Sequence, residues 1–138
     1  MHNSLENINM KKLITLGLFL ISGTTFGAPM SEDMKICYKF SNNKLVSKSS
    51  CIVSSGYGAG GSYTSIEQGK KEYSVETRMC YNKKTDEQEE CGTSLNGVDA
   101  NFYYRDLFYK KISDMSLISD NSLKCFITKN KKIDICYK

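Results

Sequence analysis

The chain has 138 residues, a formal net charge of +4, six cysteines and one proline. Its one histidine is His2 and it has no tryptophan, which excludes Ser-His-Asp and Cys-His catalysis and histidine-held metals from the rest of the chain. The positive charge is too mild to imply binding to nucleic acid or to a membrane surface.

Residues 1–27 read as a secretory signal peptide, with Met10 as an alternative start. Lys11 and Lys12 precede a short apolar run from Leu13 to Ile21, and small residues follow; these are the basic, apolar and cleavable parts of such a signal. The run is shorter than the roughly 20 residues that span a bilayer, so stable membrane insertion is not expected. Thr25 and Gly27 place small residues where cleavage after Gly27 needs them. Residues 28–138 then form one domain of about 111 residues with a net charge of about +3, periplasmic or secreted.

All six cysteines lie in that domain, and an even count in a small exported chain reads as a disulfide framework. They fall into three similar units: Cys37 with Cys51, Cys80 with Cys91, and Cys125 with Cys136. Each unit has a cysteine, an aromatic residue, a polar Lys/Asn-rich middle and a second cysteine, which is a hairpin pattern. The spacing predicts bonds within each unit: 37–51, 80–91 and 125–136.

After the first unit, Gly56-Tyr57-Gly58-Ala59-Gly60-Gly61 spells G-x-G-x-x-G. A dinucleotide site needs a helix to start at the third glycine. The residues that follow, Ser62-Tyr63-Thr64-Ser65-Ile66, favour a strand instead. The run is therefore expected to be a mobile glycine loop between strands, with Tyr57 and Tyr63 at its ends as candidate partner contacts. Alanine at Gly58 and Gly60 is expected to perturb folding or binding. Next, Tyr73, Val75, Thr77 and Met79 alternate with Glu72, Ser74, Glu76 and Arg78. This is a half-buried strand, paired back through a Gly69-Lys70 turn.

The second unit carries Asp86, Glu87, Glu89 and Glu90 at its tip, read as a solvated turn because the run lacks a calcium-loop oxygen pattern. In residues 99–115, Tyr104, Phe108, Ile112 and Met115 recur at helical spacing, with Asp99 as a cap. A short helix or an ordered aromatic loop is expected there. Phe102, Tyr104 and Phe108 are expected in the core. Tyr103 and Tyr109 are expected at the surface with Arg105 as candidate partner contacts, and Arg105 is expected to pair with Asp106. In the last unit, a turn on Asn130-Lys131 sets Cys125 opposite Cys136, Phe126 opposite Ile135 and Thr128 opposite Ile133. Lys124, Lys129, Lys131 and Lys132 read as solubilising charges on that hairpin.

The fold expected is mainly β: a small antiparallel sheet or hairpin domain with one short helix or aromatic loop, stapled by three disulfides. In type, the chain resembles the small disulfide-bonded envelope proteins of bacteria, among them immunity proteins and inhibitors of cell-wall hydrolases. No site residue carries over from a likeness of type alone. The function expected is that of a non-enzymatic module binding another protein of the envelope, a toxin or a hydrolase, without cofactor, metal or nucleic acid. The alternatives are a glycan hydrolase using paired carboxylates, with Glu72 and Glu76 on one strand face, and a structural envelope or surface component.

Overall fold

A computed structural model describes residues 30–58 and 60–138. The signal-peptide segment lies outside the described residues. Nine strands follow one another: β1 (Ser31–Ser41), β2 (Lys44–Gly58), β3 (Gly61–Gln68), β4 (Lys71–Asn82), β5 (Glu87–Leu95), β6 (Val98–Arg105), β7 (Lys111–Ile112), β8 (Leu123–Thr128) and β9 (Asp134–Tyr137). All pair antiparallel in one sheet. The β1–β6 strands form a meander, β9 pairs with β1, and β5 pairs with β6 as well as β4. The sheet therefore closes on itself as an eight-stranded barrel, with β7 as a short flap on the outer end of β6. Closure leaves few free strand edges.

The turns follow from local chemistry. Asn42-Asn43 and Asn96-Gly97 each have positive φ at both central residues, the geometry of two-residue hairpins whose twist matches the flanking strands. Gly69, also at positive φ, opens the expected Gly69-Lys70 turn between β3 and β4. These tight turns close one end of the barrel. The long connection of residues 106–122 lies at the other end, which forms the mouth.

Strand alternation builds two packed layers. Cys37, Val53, Ile66, Tyr73, Val75, Leu95, Ala100, Phe126 and Ile135 fill the barrel interior. The expected alternation of β4 holds, since Tyr73 and Val75 are buried while Glu72 and Glu76 are exposed. A second layer lies on the opposite face of β1, β8 and β9, where Tyr38, Phe40, Leu123, Cys125 and Cys136 pack with Tyr103 and Tyr109.

The three expected disulfides all form, within their own hairpins. Cys125 faces Cys136 directly, and Phe126 faces Ile135, as the turn on Asn130-Lys131 requires. Cys37 instead reaches Cys51 diagonally, because Cys37 faces Ser49 and Lys35 faces Cys51. Cys91 sits beside the register shift at Arg78/Met79, so its bond to Cys80 spans a bulge.

Two expectations change. The helical alternative for residues 99–115 gives way to β6, because Asn96-Gly97 turns the chain straight into a strand. Only residues 106–110 form the aromatic loop, followed by β7 and a single 3-10 turn at Met115–Leu117. The glycine run also belongs largely to strands. The β2 strand continues through Gly58, β3 begins at Gly61, and these two residues pair.

Candidate partner-binding loop

The connection leaving β6 begins at Arg105, which is 1% exposed. A buried guanidinium needs every donor engaged, since an unpaired buried charge is costly. Its Nη2 donates to Asp134 Oδ2 at 2.9 Å and to Asn43 Oδ1 at 3.3 Å. Its Nε donates to the Tyr103 hydroxyl at 2.9 Å, and its Nη1 donates to the Tyr109 carbonyl at 2.8 Å. The guanidinium carbon also lies 4.0 Å from the centre of the Phe40 ring, a cation–π contact. The Tyr103 hydroxyl donates in turn to Asp134 Oδ1. Burial, then the Asp134 carboxylate, pushes the Tyr103 phenol well above the usual tyrosine range. The expected Arg105–Asp106 pair is not what forms; Arg105 reaches across the fold to Asp134.

Asp106 organises the loop instead. Its Oδ1 accepts the backbone N–H groups of Phe108 at 2.8 Å and Lys110 at 2.9 Å. The backbone closes the turn through Tyr109 N–H to Asp106 O and Asp106 N–H to Lys110 O. Tyr109 takes positive φ and turns its ring back onto the barrel, 5.8 Å from Tyr38 and 5.7 Å from Phe40 between ring centres. With Tyr109 anchored inward, Leu107 and Phe108 point out, and Phe108 is 83% exposed. An apolar tip is thus held in a fixed backbone shape.

The aromatic assignment from sequence changes at Phe102, Phe108, Tyr103 and Tyr109, while Tyr104 is half-buried on the inner face. Tyr103 and Tyr109 belong to the packed outer layer, while Phe102 and Phe108 are exposed. Period-two alternation is the reason. In β6, Phe102 and Tyr104 share one face, and Tyr103 and Arg105 share the other. Phe102 and Tyr104 meet edge to face at 4.8 Å on the inner face, where β6 has already parted from β5. Of the five candidate contacts, Tyr57 is open to solvent, at 72% exposed. Tyr63 is half-buried, its ring lying over Gly56. Tyr103 and Tyr109 are half-buried and Arg105 is fully enclosed.

Leu107 and Phe108 escaped the sequence reading because nothing local marks which aromatic of a run faces outward. Exposed Met115 and Leu117 stand on the same connection. Tyr57 and Tyr81 are exposed at the same end, on the last residues of β2 and β4. Leu107 and Phe108 form an exposed apolar pair adjacent in sequence, and exposed apolar groups that lie together on a folded chain mark interaction surfaces. Elsewhere, Glu72 accepts a hydrogen bond from the Ser65 hydroxyl at 3.0 Å and lies exposed with Glu76. The acidic tip of the second unit is a solvated turn whose Asp86 accepts from the Tyr81 hydroxyl. Lys129 pairs with Asp99 at the surface.

Among the described residues, no cluster of three or more His, Cys, Asp or Glu gathers as metal ligands, and no helix is long and apolar enough to cross a membrane. All six cysteines are bonded, which fits an oxidising compartment. The fold and its bonds define a disulfide-stapled, eight-stranded antiparallel barrel. Compared with known proteins, the chain matches no family model, no curated protein and no solved structure.

Proposed function

We propose that the protein is an exported, non-enzymatic module that binds another protein of the bacterial envelope through the Leu107–Phe108 tip. The sharpest form of this reading is an immunity protein or inhibitor, which neutralises a toxin or a cell-wall hydrolase by occluding it. One observation carries it: Phe108 is 83% exposed on a backbone pinned by Asp106 and by the Arg105 hydrogen bond to Tyr109. Exposing a large apolar side chain does nothing for folding. Fixing its backbone beforehand removes part of the ordering cost of association, and a central aromatic anchor is the usual carrier of interface energy. The absence of histidine beyond His2 supports a binding role over catalysis.

The test is affinity capture from envelope extract with the oxidised protein and with a Leu107→Ser/Phe108→Ser variant. A stoichiometric protein partner is expected with the first and lost with the second, while the unfolding free energy changes by less than about 0.5 kcal/mol. Capture of no stoichiometric partner, or equal capture by both, refutes the reading. A captured toxin or hydrolase whose activity is unaffected refutes the occlusion form alone.

A further inference from the structure

The mouth of the barrel holds a cleft of about 770 Å³ that the partner-binding tip does not line. That volume is in the range of small-molecule sites. One row of its wall crosses three neighbouring strands. Tyr104 on β6 faces Lys124 on β8, which faces Tyr137 on β9. Lys124 thus stands between two tyrosines in one cross-strand row. Lys35 on β1 joins them from the position diagonal to Tyr137, which faces Cys37. Asp33, Asp120 and Lys138 complete the rim with four serines, and the Lys138 ammonium donates to Asn121 Oδ1 at 2.9 Å.

Two properties single out this cleft. Among the described residues, the only ion pairs are Arg105–Asp134 and Lys129–Asp99, so Lys35, Lys124, Lys138, Asp33 and Asp120 share a concave site without pairing with one another. The lining is also rich in hydroxyls, and its aliphatic side chains are Val53 and Ile118, so an oily ligand has little to pack against. The Tyr137 phenol is pushed above its usual range, first by burial and then by Tyr104, which fits two rings close together in a partly dry wall.

We infer that the mouth cleft binds a carboxylate-bearing sugar, with the carboxylate held by Lys35 and Lys124 and the sugar ring set against Tyr104 and Tyr137. The sugar hydroxyls meet Asp33, Asp120 and the serines, which accept and donate as hydroxyl groups require. The two aspartates offset two of the three lysines in the lining, a balance that suits the single charge of a carboxylate better than the double charge of a phosphate. This site is separate from the Leu107–Phe108 tip, and each stands or falls without the other.

The experiment is an NMR titration of the oxidised protein with glucuronic acid, glucose and glucose 6-phosphate. Shifts of Lys35, Tyr104, Lys124 and Tyr137 are expected with glucuronic acid, with at least tenfold weaker binding of glucose and of glucose 6-phosphate. Lys35→Met and Lys124→Met should each weaken glucuronic acid binding about tenfold or more without moving the unfolding midpoint. The Leu107→Ser/Phe108→Ser variant should bind it unchanged. No binding of glucuronic acid, equal binding of glucose, tighter binding of the phosphate, or unchanged affinity in both lysine variants overturns the proposal.

Discussion

Asp134→Ala is the substitution that should hurt most for its size. Asp134 is buried and accepts from Arg105 Nη2 at 2.9 Å and from the Tyr103 hydroxyl. Truncation leaves a guanidinium that is 1% exposed without its counter-charge, and leaves the phenol without its acceptor. Breaking one side of a buried ion pair costs about 3–5 kcal/mol. Two lost hydrogen bonds to a charged group, at about 1.5–3 kcal/mol each, reach the same range. For a domain whose whole stability is on the order of 5–15 kcal/mol, that is a large share, and it lowers the melting temperature by roughly 10–20 °C. Urea unfolding under non-reducing conditions, followed by far-UV circular dichroism, measures it. Arg105→Met combined with Asp134→Leu removes both charges and should lose less than Asp134→Ala alone. A loss below about 1 kcal/mol for Asp134→Ala, or a double variant that costs the sum of its singles, would refute the account of a coupled buried network.

Four further outcomes are expected. Gly61 lies at φ +137°, and an added Cβ would meet the Thr77 carbonyl oxygen at 1.9 Å; Gly61→Ala should therefore cost more than about 2 kcal/mol in urea unfolding. Gly58 and Gly60 have open space around them, so alanine there should change stability by less than about 0.5 kcal/mol, which reverses the expectation from sequence. In alkaline titration followed at the phenolate absorbance band, Tyr103 and Tyr137 should ionise after the exposed tyrosines. Their folded values are raised, so their contribution to stability is complete below the ordinary tyrosine range near pH ~10 and is lost only as pH rises above it; Tyr103→Phe should remove the later part of that loss. Under mild reductant, Cys80–Cys91, whose residues are exposed, should open first with the barrel intact. Cys37–Cys51 and Cys125–Cys136 are buried and should resist until the chain unfolds, as peptide mapping after alkylation would show.

What the sequence displayed was whatever the chain encodes locally. Cysteines set on either side of polar turns reported their own partners, and Cys125 with Cys136 could be placed opposite each other from the turn alone. Strand β4 announced itself through Tyr73 and Val75 against Glu72 and Glu76. Residues 99–115 misled because aromatic spacing fits a helix and a strand alike, and the decisive signal was the Asn96-Gly97 turn just upstream. The buried network had no local signal at all, since Arg105 and Asp134 lie 29 residues apart and meet only because β8 lies between β6 and β9. Closure of the barrel was equally hidden, as β1 and β9 stand at opposite ends of the described chain. The mouth cleft inherits that distance, being assembled from β1, β2, β6, β8 and β9.

The sequential order of the disulfides has a consequence for how the molecule is made. The cysteines are bonded in consecutive pairs along the chain, across separations of 14, 11 and 11 residues. None crosses between hairpins, and none bridges the strands whose meeting closes the ring. A chain entering an oxidising compartment from its N-terminus therefore meets each correct thiol before any wrong one arrives. Oxidation in chain order would give the native bonds without reshuffling, so refolding of the reduced chain with oxidant alone is expected to recover them without a disulfide isomerase.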